Sequence, residues 1–145
     1  MSKILYLVAV DGSKCSERAV ERAIDLANKT QAKVKLLKVM DWSYLQPMVL
    51  EGVAPPILNQ ASEERNAIEK VLTPLLQKHS ESGVDITTEL IWGDAVTTIL
   101  EQVKVLHVNM LFVGRQGRSR IADILLGSVA NKLAHRAGVP IVLVP

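Results

Sequence analysis

The chain has 145 residues, 48% of them hydrophobic, enough for one core and too few for two, so a single domain over residues 1–145 is expected. A formal charge of only +2 and an aromatic content of 3% provide neither a basic face nor stacking platforms for nucleic acid. The one cysteine, Cys15, cannot close an internal disulfide, so a disulfide-stapled secreted scaffold is excluded and a cytoplasmic location is expected.

The opening MSKILYLVAV is too short an apolar run to cross a bilayer and has no secretory cleavage region, so it reads as a first strand, without membrane insertion. Its apolar residues are nearly continuous over 3–10, as in a strand covered on both faces. Residues 16–30 place Ala19, Ala23, Ile24 and Ala27 at helical spacing, with Ser13 or Ser16 as the cap. KVKLLKVM at 33–40 is the second strand, and its partial alternation suggests shallower burial than the first.

Residues 41–58 break the rhythm with Pro47, Gly52, Pro55 and Pro56, the natural place for a flap or a partner contact. A helix resumes near Gln60 with Ile68, Val71, Leu72, Leu75 and Leu76 inward, and Pro74 should bend it or force a late boundary. A strand at 83–91, a helix opened by Gly93-Asp94 and running to about His107, a strand at 109–114, a helix over 127–138 and a last strand in PIVLV complete the chain. The alternation predicts an α/β fold: one open, mostly parallel five-stranded sheet with helices on both faces, Rossmann-like in kind.

Ligands on such sheets bind outside the carboxyl ends of the strands. Three stretches converge on that edge: AVDGS after the first strand, VMDW after the second and VGRQG after the fourth. Gly114 and Gly117 permit tight turns whose amides can face an anion without an intervening side chain. After nine further residues come Gly127 and Ser128 at a helix start, where amides, dipole and hydroxyl together suit phosphate. Arg115, Arg118 and Arg120 are candidates for charge-assisted contacts, although loop arginines are as commonly solvated. The pattern is neither the Walker loop, since no lysine precedes a Ser or Thr there, nor the dinucleotide fingerprint, since DGSKCS follows the first strand. Two readings stand at this level: a phosphate or nucleotide site, or glycines that only shape turns with Ser128 as a cap.

The sequence resembles the universal stress protein family over essentially its whole length. The resemblance is carried by VAVDGS, the strand ending KVM, WGDA, and VGRQGRSRIADILLGSVANKLAHRAGVPIVLV, with the family's GxxG, nine residues and G(S/T) falling on Gly114, Gly117, Gly127 and Ser128. It implies the ATP-binding branch. Asp11 would lie near ribose and phosphates, and Val39 would meet the adenine through its backbone; read from the sequence itself, Asp11 could coordinate Mg²⁺ with the phosphates, reach a ribose hydroxyl, or only form the Asp-Gly turn. Gly114, Gly117, Gly127, Ser128 and Val129 would surround ribose and phosphates, and Ala9 and Val10 would line the adjoining wall; Arg115 and Arg118 stay candidates on their charge alone. The basic QGRSRIAD in the middle of the motif departs from many relatives and leaves its side-chain contacts open.

The remaining residues read more plainly. Asp94 suits a helix cap better than a metal, and Trp42 and Trp92 suit packing better than base stacking. Cys15 has no CxxC partner, and His79, His107 and His135 lack metal-ligand spacing. No base or acceptor pocket for phosphoryl transfer is evident. The functional expectation is therefore an ATP-binding regulatory protein, a nucleotide-dependent switch in which ATP orders residues 41–58 and 114–127. The alternatives are a slow ATP-hydrolysing enzyme and a nucleotide-independent dimeric adaptor. The resemblance further implies a homodimer through the C-terminal strand, leaves dimer or tetramer open, and admits a membrane transporter among regulated partners.

Overall fold

Apolar runs become five parallel strands: β1 (Leu5–Ala9), β2 (Lys33–Met40), β3 (Ile86–Trp92), β4 (Met110–Gly114) and β5 (Ile141–Val144). They form one sheet in the order β3-β2-β1-β4-β5. The computed structural model describes residues 3–41, 56–116 and 126–145. β1 is central, with Val8 in register with Leu36 of β2 on one side and Phe112 of β4 on the other.

Strict alternation sends side chains to two cores. Tyr6, Val8, Leu36 and Phe112 join one cluster, and Leu7, Leu37, Leu111 and Val113 the other. Both faces being covered is why the strands read as nearly continuous apolar runs. Each large side chain fully buried there, such as Leu7 or Phe112, contributes about 1.5–3 kcal/mol. β2 is an interior strand with Val34, Leu36, Leu37 and Met40 buried, deeper than its partial alternation suggests.

On the first face lies α1 (Lys14–Thr30), whose inward Ala19, Val20, Ala23, Ile24 and Ala27 are the periodic positions of the sequence. Ser13 is its cap, accepting from the Ser16 amide at 3.1 Å. The same face carries α2 (Pro56–Ala67), a π-helical turn (Ile68–Leu72) and α3 (Thr73–Lys78). The irregular stretch therefore ends before Pro56, and residues 42–55 lie outside the described residues.

The expected disturbance at Pro74 takes the form of that π turn. Pro74 has no N–H for the helical ladder, and just before it the Thr73 amide reaches back five residues to the Ile68 carbonyl. The extra residue in the turn rotates the apolar stripe: Leu72 and Leu75 stay buried, while Ile68, expected inward, is 44% exposed.

On the opposite face lie α4 (Ala95–Val105) and α5 (Ser128–Arg136), contributing Val96, Ile99, Val103, Ala130 and Leu133 to the second core. Asp94 caps α4 through the Thr97 amide at 2.9 Å. At its far end, Val108 N–H bonds the Val103 carbonyl and His107 N–H the Lys104 carbonyl, with His107 left-handed at φ 53° where glycine is usual. The chain thus winds outward from β1 through β2 to β3, then crosses to β4 and β5 with helices on the other face. The winding reverses between β1 and β4, the position at which such sheets open a crevice at the carboxyl ends of their strands.

Candidate functional site: a cavity at the carboxyl ends of the strands

A cavity of about 520 Å³ occupies that crevice. Its floor is apolar, from Ala9, Leu37, Val39 and Val113 at the strand ends and Ile99 of α4. Asp11, Ser13 and Ser16 form the side beneath α1, and Gly127, Ser128, Val129 and Ala130 the side at the start of α5.

After β1, the turn is built by the sequence DGSKCS. Asp11 Oδ1 accepts the Ser13 amide at 2.9 Å, and Gly12 takes φ 85°, which glycine adopts freely. Ser16 Oγ donates to the Ser13 carbonyl at 3.0 Å while accepting the Asp11 amide at 3.4 Å. One oxygen of Asp11 is therefore spent on the turn, and the N-terminus of α1 is capped from within its own loop.

The start of α5 is organised differently. The Gly127 amide donates to the Arg115 carbonyl at 2.8 Å, and the Arg115 amide to the Val144 carbonyl at 2.6 Å, pinning the returning loop to the end of the sheet. Among the described residues no side chain caps the helix at Gly127. The amides of Ser128, Val129 and Ala130 have no acceptor within the helix, and all three residues line the cavity. Positive helix dipole and uncapped amides thus meet at one end of an otherwise apolar hollow.

Among the described residues no lysine or arginine lines this cavity, and its charged lining groups are the carboxylates of Asp11 and Asp41. Among these described residues the groups that can bind an anion are backbone amides and hydroxyls. The two carboxylates lie at the ends of β1 and β2, so they repel an anion toward the start of α5.

The structure brings together most residues singled out in the sequence: Ala9, Val10, Asp11, Val39, Gly114, Gly127, Ser128 and Val129 all line the cavity. Arg115 does not; its side chain is exposed and its backbone braces the loop. Gly117 and Arg118, with Arg120 and Trp42, lie outside the described residues. Trp92 points elsewhere, its indole N–H donating to Glu64 of α2. Sequence reasoning missed Ser13, Ser16, Asp41 and Gln116, and the α4 wall of Ala95 and Ile99. Asp41 was recoverable from its place after the second strand; the α4 wall depends on how that helix crosses the sheet and carries no local signal.

The family model for the universal stress protein family matches residues 5–145. The chain belongs to that family. It is 30% identical over 142 residues to the universal stress protein YxiE of Bacillus subtilis, covering 95% of this chain and 96% of that one. The fold is similar to that of the protein MJ0577, with a TM-score of 0.85 at 19% identity, covering 99% of this chain and 96% of that one. It is also similar to a universal stress protein solved in complex with cAMP, with a TM-score of 0.71 at 25% identity, covering 100% and 98%. Gly114, Gly127 and Ser128 of the glycine pattern all line the crevice. Among the described residues no helix is long and apolar enough to cross a membrane.

Proposed function

We propose that this cytoplasmic, single-domain protein binds an adenine nucleotide, ATP with Mg²⁺, in the crevice between β1 and β4, and that the loaded and empty forms present different surfaces to a partner protein. The observation that carries the reading is the uncapped start of α5 opening into an apolar cavity of about 520 Å³, a size typical of small-molecule sites. The similar universal stress protein in complex with cAMP supports an adenine nucleotide as the occupant.

The base would lie on Val39 and the apolar floor beside Ile99. The ribose would sit near Gly114 and Asp11, and the phosphates on the amides of Ser128, Val129 and Ala130, with Gly127 allowing their close approach. Gly117 and Arg118 would add contacts from the intervening loop, while Arg115 would act through its backbone, which braces that loop. The second oxygen of Asp11 would share Mg²⁺ with phosphate oxygens and water. Among the described residues no three His, Cys, Asp or Glu side chains gather to hold a metal alone, so the cation would enter with the nucleotide. A ligand with different affinity for two states shifts their populations by that difference, which is the basis of the switch.

Homodimerisation through β5 belongs to the same reading. β5 is an edge strand with Ile141, Val142 and Leu143 only half-buried, and pairing with a second copy would cover it. Tetramers would be a further assembly, and a membrane transporter one class of regulated partner. Sedimentation at micromolar concentration should give a dimer; a monomer there would remove both assemblies.

The nucleotide reading is tested on protein purified without added ligand, by denaturing it and quantifying released nucleotide by chromatography and mass spectrometry, then titrating the emptied protein with ATP in the presence and absence of Mg²⁺. Near-stoichiometric ATP, or saturable ATP binding strengthened by Mg²⁺, is expected. ADP alone would favour slow hydrolysis. Protein that is empty and binds no ATP would leave a dimeric adaptor whose glycines only shape loops.

A further inference from the structure

At the other end of the sheet, where β4 and β5 begin, α4 and the segment after α5 enclose a groove of about 790 Å³. Its floor is Leu100, Val103, Val108 and Val139, of which Val103 and Val108 are buried core residues continuous with the second cluster. Its rim carries Lys104, His107 and Arg136 against one carboxylate, Glu101. Lys132 stands one turn before Arg136 on α5, and both cations act on Asp94, whose carboxylate is already engaged by the Thr97 amide. His107 is held at the rim by its left-handed backbone at the end of α4, a conformation uncommon for a non-glycine residue.

The charged rim residues are all exposed. A small anion bound there would keep much of its surface in water, whereas a chain segment could lay alternate side chains on the apolar floor and offer carboxylates to the rim. We propose that this groove docks an acidic, amphipathic segment of a partner protein, with branched apolar side chains over Leu100 and Val139 and carboxylates paired to Lys104 and Arg136. The charge complementarity selects the acidic class, and the open apolar floor selects a peptide over a free anion. The groove lies at the opposite strand ends from the nucleotide cavity and shares no lining residue with it.

The test is selection of random short peptides displayed on phage against the full-length protein, with synthetic copies of the enriched peptides measured by fluorescence anisotropy. Enriched sequences should combine Asp or Glu with Leu, Ile or Val, and affinity should fall at least tenfold in K104E/R136E and weaken with added salt. In wild-type protein their amide NMR perturbations should centre on residues 100–108 and 136–139, a readout that does not rely on the variant folding. Failure to enrich, enrichment without acidic residues, perturbations elsewhere, or affinity unmoved by the charge reversal in a folded variant would each overturn the proposal. So would saturation of the same amides by inorganic phosphate with no peptide binding.

Discussion

Gly114 and Cys15 meet so closely that a Cβ built on the glycine would stand 2.7 Å from the cysteine Cβ, and 2.9 Å from both the Cys15 carbonyl carbon and the Ser16 amide nitrogen. The last two are backbone atoms at the start of α1, so a side chain at 114 must push the helix off β4. Gly114→Ala is expected to cost about 1–3 kcal/mol, as for overpacked cores, lowering Tm by roughly 3–10 °C at this chain length. Gly138 has nothing within 4 Å of the corresponding position, and Gly138→Ala should leave Tm nearly unchanged. Equal melting of the two variants would mean that the close approach does not constrain the fold.

The amides at the start of α5 can be tested without removing a side-chain cap, because Gly127 provides none. Ser128 is the first helical residue, where proline is well tolerated, and Gly127 at φ −65°, ψ 161° suits a residue before proline. Ser128→Pro should therefore retain wild-type Tm within a few degrees while deleting one amide donor and one hydroxyl. Hydrogen bonds to a charged group contribute about 1.5–3 kcal/mol, so ATP affinity by calorimetry should fall roughly tenfold to a hundredfold. Unchanged affinity in a folded variant would move the phosphates away from α5.

Local patterns made the sheet and half of the site legible. Each strand recruits both cores, so Leu5 to Val10 had to be apolar throughout, and Gly127-Ser128 marks a helix start whatever surrounds it. Long-range relationships were not legible. The sequence assigns Gly114 to ligand approach, yet its missing side chain also makes room for Cys15, about a hundred residues earlier in the chain. The outward turn of Ile68 likewise follows from the π turn before Pro74, which a regular helical period cannot foresee. Ile99 reaches the cavity only because α4 crosses the sheet at that edge.

Asp94 links a helix cap to acid stability. Its carboxylate accepts the Thr97 amide, and that bond, then the Thr97 hydroxyl, holds its pKa below the ordinary 3.8, with a smaller contribution from Lys132 and Arg136. A depressed carboxyl stabilises the fold above its unfolded value and loses that contribution as pH falls through its lower folded value. Asp94→Asn keeps an acceptor for the cap but cannot titrate. Its Tm should match the wild type closely near neutrality and fall less steeply below about pH 4; parallel acid limbs would show that the cap does not discriminate between charge states.

His79, just beyond α3, supplies the corresponding effect near neutrality. Burial, and secondarily the neighbouring Lys78 ammonium, holds its pKa below 6.5, against the opposing pull of Glu21 and Asp25 on α1. Its Nε2 is buried without a hydrogen-bond partner among the described residues, while Lys78 is drawn to Glu21 at 2.9 Å. The folded state therefore resists protonation that the unfolded state accepts below 6.5, so the contribution is full above that pH and declines as pH drops beneath it. Wild-type Tm should rise between about pH 5 and 7, and His79→Gln should flatten that rise. Because burial is the largest cause and salt screens the opposing contributions of Lys78, Glu21 and Asp25 alike, most of the difference between the two profiles should persist in high salt. If salt erased it, repulsion by Lys78 rather than burial would be what keeps the imidazole neutral.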